Sequence, residues 1–260
     1  MNPATFHSSE RLAEIRKRVA RNPPLTKGRR GGVILEAIIP AAGYGKRLKS
    51  KTLKPLVKIS GKPLLVHTLL ALARLESIQR IIIAVHPGSL NKFKRVLKQY
   101  KIKKEIFLVL GGKTRQDSVN NCLKHTGKDT DFILVHDAVR PFISRELIAK
   151  TIQAARDNQA AAAAVPSKST LKRVTDNYEI SETLDRRNIW EIQTPQVFKK
   201  DILINAYRKY GALETTDDAS LVEKTGIKVK VVLGSYFNIK ITTPEDLVFA
   251  RAILKESSNR

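Results

Sequence analysis

Arg47 and Lys54 stand seven residues apart in the stretch "AAGYGKRLKSKTLKP", residues 41–55, which holds four lysines and one arginine and no carboxylate. An arginine offers a planar fork to phosphate oxygens and a lysine a compact charge, so the pair could flank a polyphosphate. Ahead of them Ala41, Ala42 and Gly43 carry side chains small enough to let backbone N–H groups approach a ligand closely. The loop is not a Walker A motif, because no Gly-Lys-Ser/Thr follows, and it lacks the third glycine of a dinucleotide fingerprint. Taken alone, it reads equally as a glycine turn bearing solvated lysines.

Three further stretches have the residue types for phosphate chemistry. In "HDAVRPF" Asp137 sits beside the small Ala138, with Arg140 just beyond. One carboxylate near cations suits a magnesium ion that keeps phosphate oxygens as its other ligands. The alternative is a turn-capping Asp137 and a surface-paired Arg140. His136 reads as structural, and no HExxH or spaced His/Cys set supports zinc. In "GGKTRQDSV" the pair ending at Gly112 precedes a helix opened by Arg115 and Ser118, and Ser118 could donate to a ligand or cap that helix. In "NIKITTPEDL" Lys240 follows a strand and precedes a helix with Thr243 as N-cap and Pro244 at the first position. By itself Lys240 is an ordinary strand-end lysine.

The elements around these stretches alternate. "LEAIIP", "RIIIAVHP", "EIFLVLGG", "FILVHDAVRP" and "AAAAAVP" are short apolar runs, separated by segments of helical period such as "LLVHTLLALARL" and "LNKFKRVLKQY". Strands apolar throughout with helices between them predict an α/β fold, a Rossmann-like, mainly parallel sheet covered on both faces. Such sheets bind ligands beyond the carboxyl ends of their strands, where "AAGYGKR", "GGKTRQDS" and "HDAVRP" all fall. After Pro166 the rhythm breaks. "SKSTLKRVTDNYEISETLDRRNIWEIQTPQVF" alternates, with a turn signal at "TDN", and reads as a β-arm. Two or three short strands are not stable alone, so the arm is expected to pack on another subunit. A single domain is thus expected over 33–258, with the arm at about 167–192 and a basic flexible extension over 1–32.

Composition bounds the rest. The 260 residues include 48 Lys and Arg against 24 Asp and Glu, a net charge of +24 that invites nucleic acid or phosphorylated ligands. Aromatics are only 6%, and no helix-turn-helix or RNA-binding signature accompanies the charge, which argues against base stacking. The single Cys122 excludes an internal disulfide and a cysteine metal cluster. No apolar run is long enough to span a bilayer. A cytoplasmic protein is expected; the Arg-rich start could be read as a plastid transit peptide, but Glu10 and Glu14 weaken that reading.

Six stretches in order, "AAGYGKRLKSKTLKP", "GGKTRQDSV", "HDAVRPF", "DRRNIWEIQTPQVF", "TTDDASLVE" and "NIKITTPEDL", resemble the 2-C-methyl-D-erythritol 4-phosphate cytidylyltransferases, from about Leu35 to Leu254. The resemblance implies a nucleotidyltransferase using CTP with Mg2+ and a polyol phosphate, working as a homodimer. It assigns Arg47 and Lys54 to transition-state stabilisation. It assigns Ala41, Ala42, Gly43, Gly112, Ser118 and Ala138 to CTP, and Asp137 to the ribose and the metal. Thr170, Arg186, Thr216 and Lys240 fall to the acceptor phosphate, with Thr170 and Arg186 serving the partner's site across the arm. One stretch departs: where the family has Pro-Val-x-Asp-Thr, this chain reads "PSKST", with Ser169 in place of the aspartate. A ribitol 5-phosphate cytidylyltransferase shares the glycine loop and the "HD..RPF" segment; the arm and "QTPQ" favour the methylerythritol enzymes.

Overall fold

A computed structural model describes residues 32–258 except Lys49 and Lys51, so the basic extension expected over 1–32 lies, up to residue 31, outside the described residues. The strands are β1 (Leu35–Ala41), β2 (Lys58–Ile59), β3 (Lys62–Pro63), β4 (Ile78–Val85), β5 (Glu105–Leu110) and β6 (Phe132–Val135). They continue with β7 (Ala160–Pro166), β8 (Leu171–Val174), β9 (Ile180–Leu184), β10 (Trp190–Lys199) and β11 (Lys230–Leu233). The α-helices are α1 (Leu64–Ala73), α2 (Leu90–Lys98), α3 (Arg115–Leu123), α4 (Arg145–Asn158), α5 (Lys200–Tyr210), α6 (Asp218–Glu223) and α7 (Pro244–Ser258).

Seven strands form one sheet in the order β11-β7-β10-β6-β1-β4-β5. Every neighbouring pair is parallel except those made by β10, which runs against both β6 and β7. Successive side chains of a strand point to opposite faces, and here both faces are apolar. Ala37, Ile39, Ile81 and Ile83 join Leu65, Leu69, Ile148 and Ile152 in one core. Ile38, Ile82, Ile133 and Val135 join Val119, Cys122 and Leu203 in the other. Burial of each such Ile or Leu contributes about 1.5–3 kcal/mol, which is why these runs are strands in the middle of the sheet. The parallel arrangement brings the carboxyl ends of β1, β4, β5 and β6 to one rim; the Gly111 N–H donates to the Val85 carbonyl at 2.8 Å across it.

After β7 the chain leaves the sheet. β8 and β9 pair as an antiparallel hairpin, closed by a turn in which the Tyr178 N–H donates to the Thr175 carbonyl. This is where "TDN" signalled a turn. Val174, Tyr178 and Ile180 are exposed on the hairpin, and it forms a sheet of its own. The third segment expected in the arm is not part of it. Trp190–Lys199 is a ten-residue strand of the main sheet, with its first residue already paired to Pro166. Its polar Gln193, Thr194 and Gln196 are buried with hydrogen-bond partners.

Candidate active site

At the rim lies an open cavity of about 720 Å³. β1 delivers Ala41, Ala42 and Gly43 to it, β5 delivers Gly112 and the start of α3 with Ser118, and β6 delivers Asp137 and Ala138. Lys54 comes from the one-turn helix after the glycine loop, and Lys240 from the segment before α7. The site residues expected from four separate stretches therefore share one wall-to-wall space.

Local chemistry explains each placement. Gly45 has φ +69°, and a Cβ there would fall 2.5 Å from the Lys54 Cβ, so only glycine lets the loop turn back over that lysine. Pro55 and Leu56 are buried behind Lys54 and anchor its backbone. Helix α3 is capped by Thr114, whose hydroxyl accepts from the Asp117 N–H while the Asp117 carboxylate accepts from the Thr114 N–H. Ser118 is thus not the cap. Its Oγ accepts from the Gly112 N–H at 3.1 Å and donates to the Thr114 carbonyl at 2.9 Å, pinning the glycine turn from beneath. At α7, Asp246 accepts from the N–H groups of Thr242 and Thr243, fixing the chain just after Lys240.

Asp137 is the electrostatic centre. One carboxylate oxygen accepts from Arg115 Nε at 3.1 Å; the other faces Arg140 Nε at 3.2 Å and Lys240 Nζ at 3.1 Å. Burial opposes its charge, but Arg115, Lys240 and Arg140 prevail and hold its pKa well below the ordinary carboxylate range. Arg115 is shared with Asp218, a fully buried carboxylate at 2.7 Å that also accepts from the Tyr207 hydroxyl at 2.5 Å. Among the described residues Lys54 has no such ion-pair partner. Burial first, then the charges of Lys240 and Arg47, lower its pKa from 10.5 to about 8. His136 is fully buried, and burial lowers its pKa to about 4, so the ring is neutral and structural as expected.

Four expected residues lie outside the cavity lining. Arg47 is exposed beside it, close enough for its charge to act on Lys54. Thr170 and Arg186 sit on exposed backbone at the base of the hairpin, where the Arg186 guanidinium donates to the Lys168 carbonyl. Thr216 is exposed before α6. Conversely, Tyr44, His86 and Arg115 line the cavity and were not assigned to it from sequence. Tyr44 meets the His86 ring edge-on, with centroids 4.4 Å apart. His86 stands at the end of β4 in "VHPG", so the strand-end rule, applied to the second strand as to the others, signals it.

Among the described residues Asp137 is the one carboxylate lining the cavity, and no group of three or more His, Cys, Asp or Glu could hold a metal. That donor set suits a magnesium ion arriving on phosphate oxygens, with at most one protein carboxylate, rather than a centre built by the protein.

An α/β sheet with a small-residue loop and lysines at its strand ends fits a nucleotide-handling transferase. The model of the IspD family, 2-C-methyl-D-erythritol 4-phosphate cytidylyltransferase, matches residues 35–256. The chain belongs to that family and is a nucleotidyltransferase. The 2-C-methyl-D-erythritol 4-phosphate cytidylyltransferase of Syntrophus aciditrophicus is 46% identical over 232 residues, covering 86% of this chain and 97% of that protein. That of Bacillus licheniformis is 43% identical over 222 residues, covering 85% and 95%. Among solved structures, the 4-diphosphocytidyl-2C-methyl-D-erythritol synthase of Anaerococcus prevotii is similar with a TM-score of 0.76 and 38% identity, covering 86% of this chain and 97% of that one. The fold and family read from the six stretches hold.

Proposed function

We propose that the chain transfers a cytidylyl group from CTP to 2-C-methyl-D-erythritol 4-phosphate, giving 4-diphosphocytidyl-2-C-methyl-D-erythritol and pyrophosphate in the non-mevalonate isoprenoid pathway. An acceptor phosphate oxygen attacks the α-phosphorus of CTP in line, and the bond to the bridging oxygen breaks as pyrophosphate leaves. A phosphate monoester is already a competent nucleophile, so positioning and charge stabilisation suffice. The neutral, enclosed His136 is in keeping with a site that needs no general base.

The observation that carries this reading is the gathering of Ala41, Ala42, Gly43, Lys54, Gly112, Ser118, Asp137, Ala138 and Lys240 around one cavity. The small residues and Ser118 take the cytidine and the start of the triphosphate. Lys54 and Arg47 stabilise the charge that builds on the α-phosphoryl group. Asp137 would hold magnesium together with the nucleotide's phosphate oxygens, and that ion neutralises part of the triphosphate charge. Lys240 and Thr216 take the acceptor phosphate.

Thr170 and Arg186 complete the acceptor site of a second subunit in a homodimer joined by the β8–β9 hairpin. The exposed Val174, Tyr178 and Ile180 on a hairpin with no third strand support that role. Ser169 replaces a carboxylate by a neutral hydroxyl, so hydrogen bonds to the acceptor's hydroxyls are weaker at that point. No helix among the described residues is long and apolar enough to cross a membrane, and we place the enzyme in the cytoplasm. Pyrophosphate release from CTP, measured with methylerythritol 4-phosphate and with ribitol 5-phosphate, tests the assignment. Turnover with ribitol 5-phosphate alone overturns it.

A further inference from the structure

The stretch "QTPQ", Gln193–Gln196, does not itself line the cavity, yet its three polar side chains are buried and each reaches a segment that carries site residues. It occupies an irregularity in β10: between the Ile192–Ala164 and Gln196–Ala162 pairs, three residues of β10 face one of β7. A bulge of this kind re-aims side chains out of the ladder. Gln193 donates to the Ser235 carbonyl at 2.9 Å and accepts from Asn238 at 3.1 Å, in the segment leading to Lys240. Gln196 donates to Asp217 at 2.7 Å and accepts from the Ala219 N–H at 3.0 Å, bracketing Asp218.

Thr194 acts on the centre itself. Its Oγ1 accepts from the Asp137 N–H at 3.0 Å and lies 2.9 Å from His136 Nδ1. The proton positions follow from the partners. His136 Nε2 faces the Arg140 carbonyl at 3.1 Å, and a carbonyl only accepts, so Nε2 carries the proton. In a neutral ring Nδ1 is then the acceptor, and the Thr194 hydroxyl donates to it. A closed loop results: Thr194 holds the Asp137 backbone and the His136 ring, the ring holds the Arg140 carbonyl, and the Arg140 and Asp137 side chains pair.

We infer that Thr194 is a positioning residue for cytidylyl transfer: its hydroxyl fixes the turn that aims the Asp137 carboxylate at Arg115, Arg140 and Lys240. This inference rests on the proposed function. A hydroxyl is required, not merely a side chain of that size, because the Asp137 N–H is buried and needs an acceptor.

The test compares Thr194→Val, which keeps the shape without the hydroxyl, with Thr194→Ser, which keeps the hydroxyl, in CTP turnover with methylerythritol 4-phosphate. The His136 ring nitrogens are followed by 15N NMR in parallel. The expected result is a fall in kcat/KM on the order of 10- to 100-fold for the Val variant. The Ser variant stays within about threefold, and the wild-type ring shows the Nε2–H tautomer with Nδ1 resonance shifted only in the Val variant. Turnover by the Val variant within about threefold of wild type overturns the inference, as does equal impairment in both variants. A protonated Nδ1 in the wild-type ring also overturns it, and that measurement stands even if the Val variant fails to fold. A wild-type protein with no CTP turnover refutes the proposed function instead, while the ring measurement still decides whether the lock exists.

Discussion

Lys54 lends itself to a quantitative test because, among the described residues, no carboxylate is in ion-pair contact with it, and Asp137 and Asp246 only partly offset its burial. With a pKa of about 8, lowered by burial and by Lys240 and Arg47, the ammonium loses its proton as pH rises from 7 to 9. The protonated fraction is about nine-tenths at pH 7 and about one-tenth at pH 9. If the charge is needed to receive the triphosphate, kcat/KM for CTP falls about tenfold over that interval, since this ratio reports ionisations of the free enzyme. Bound triphosphate favours the charged amine, so kcat at saturating CTP holds to higher pH. Stability moves in the opposite sense. The folded-state pKa lies below the unfolded value, so unfolded chains hold the proton longer and stability rises as pH passes from about 8 toward 10.5. The assay is pyrophosphate release at sub-saturating CTP from pH 6.5 to 9.5, for wild type and Lys54→Arg. Arginine keeps its charge across this range, so the variant, whatever its lower rate, should lose the alkaline limb. A wild-type kcat/KM that is flat to pH 9.5, or a limb that survives in the Arg variant, refutes the reasoning.

Arg47→Ala and Lys54→Ala should each lower kcat by about 10²–10³ with a smaller change in CTP binding, read by steady-state kinetics beside equilibrium titration; near-normal turnover in both removes them from the reaction. Gly45→Ala places a methyl group against the Lys54 side chain in a left-handed conformation and should cost about 1–2 kcal/mol of stability together with most of the activity; unchanged melting and rate would show that the loop tolerates the clash. Asp137→Asn leaves three cations without their carboxylate and should destabilise by roughly 3–5 kcal/mol in denaturant titration at pH 7. Because the folded-state pKa of Asp137 is depressed, that difference is full above about pH 4 and shrinks as pH falls below it. Mixing Arg186→Ala with Lys54→Ala protein should restore turnover if the arm serves the partner's site, because one of the two mixed sites then has both residues; no gain over the separate variants argues against sharing.

The strand ends were legible because a buried parallel strand is an unbroken apolar run, and the first polar or glycine residues after it mark the rim. That rule placed Gly43, Gly112, Asp137 and Ala138 correctly. The end of β4, "VHPG", obeys the same rule and carries His86 to the cavity. β10 defeated the same logic for a physical reason. Its "QTPQ" side chains are polar yet buried, satisfied by partners 21 to 58 residues away in sequence, and no local pattern distinguishes such a strand from a solvated arm. The Asp218–Arg115 pair, 103 residues apart, was invisible on the same ground. Ser118 was legible as a cavity residue but not in its role, because Thr114 stands one residue before the helix and has the better-placed hydroxyl for capping. The distance of Arg186 and Thr170 from the cavity lining likewise follows from where the hairpin projects, which its sequence does not specify.

The charge distribution around Asp137 accounts for how cations can wait in a cavity without a ligand. Arg115, Arg140 and Lys240 converge on a single carboxylate, and Lys54 is close enough to feel Lys240. Like charges so near one another would repel and turn toward solvent. Asp137 holds three of them in place, and Asp218, buried and tied to Tyr207, keeps Arg115 from turning away. The two arginines are therefore committed to structure: both are largely buried, and their guanidinium groups are occupied by carboxylates and the Asn238 carbonyl. Lys240, the most exposed of the three, and Lys54, which among the described residues has no carboxylate in ion-pair contact, can exchange toward phosphate. In the proposed reaction this divides the cluster in two. The arginines and Asp218 form the fixed frame, and the lysines carry the charge that meets the triphosphate and the acceptor. Such preorganisation is what a reaction without a general base requires, since all the stabilisation must be in position before phosphoryl bonds change.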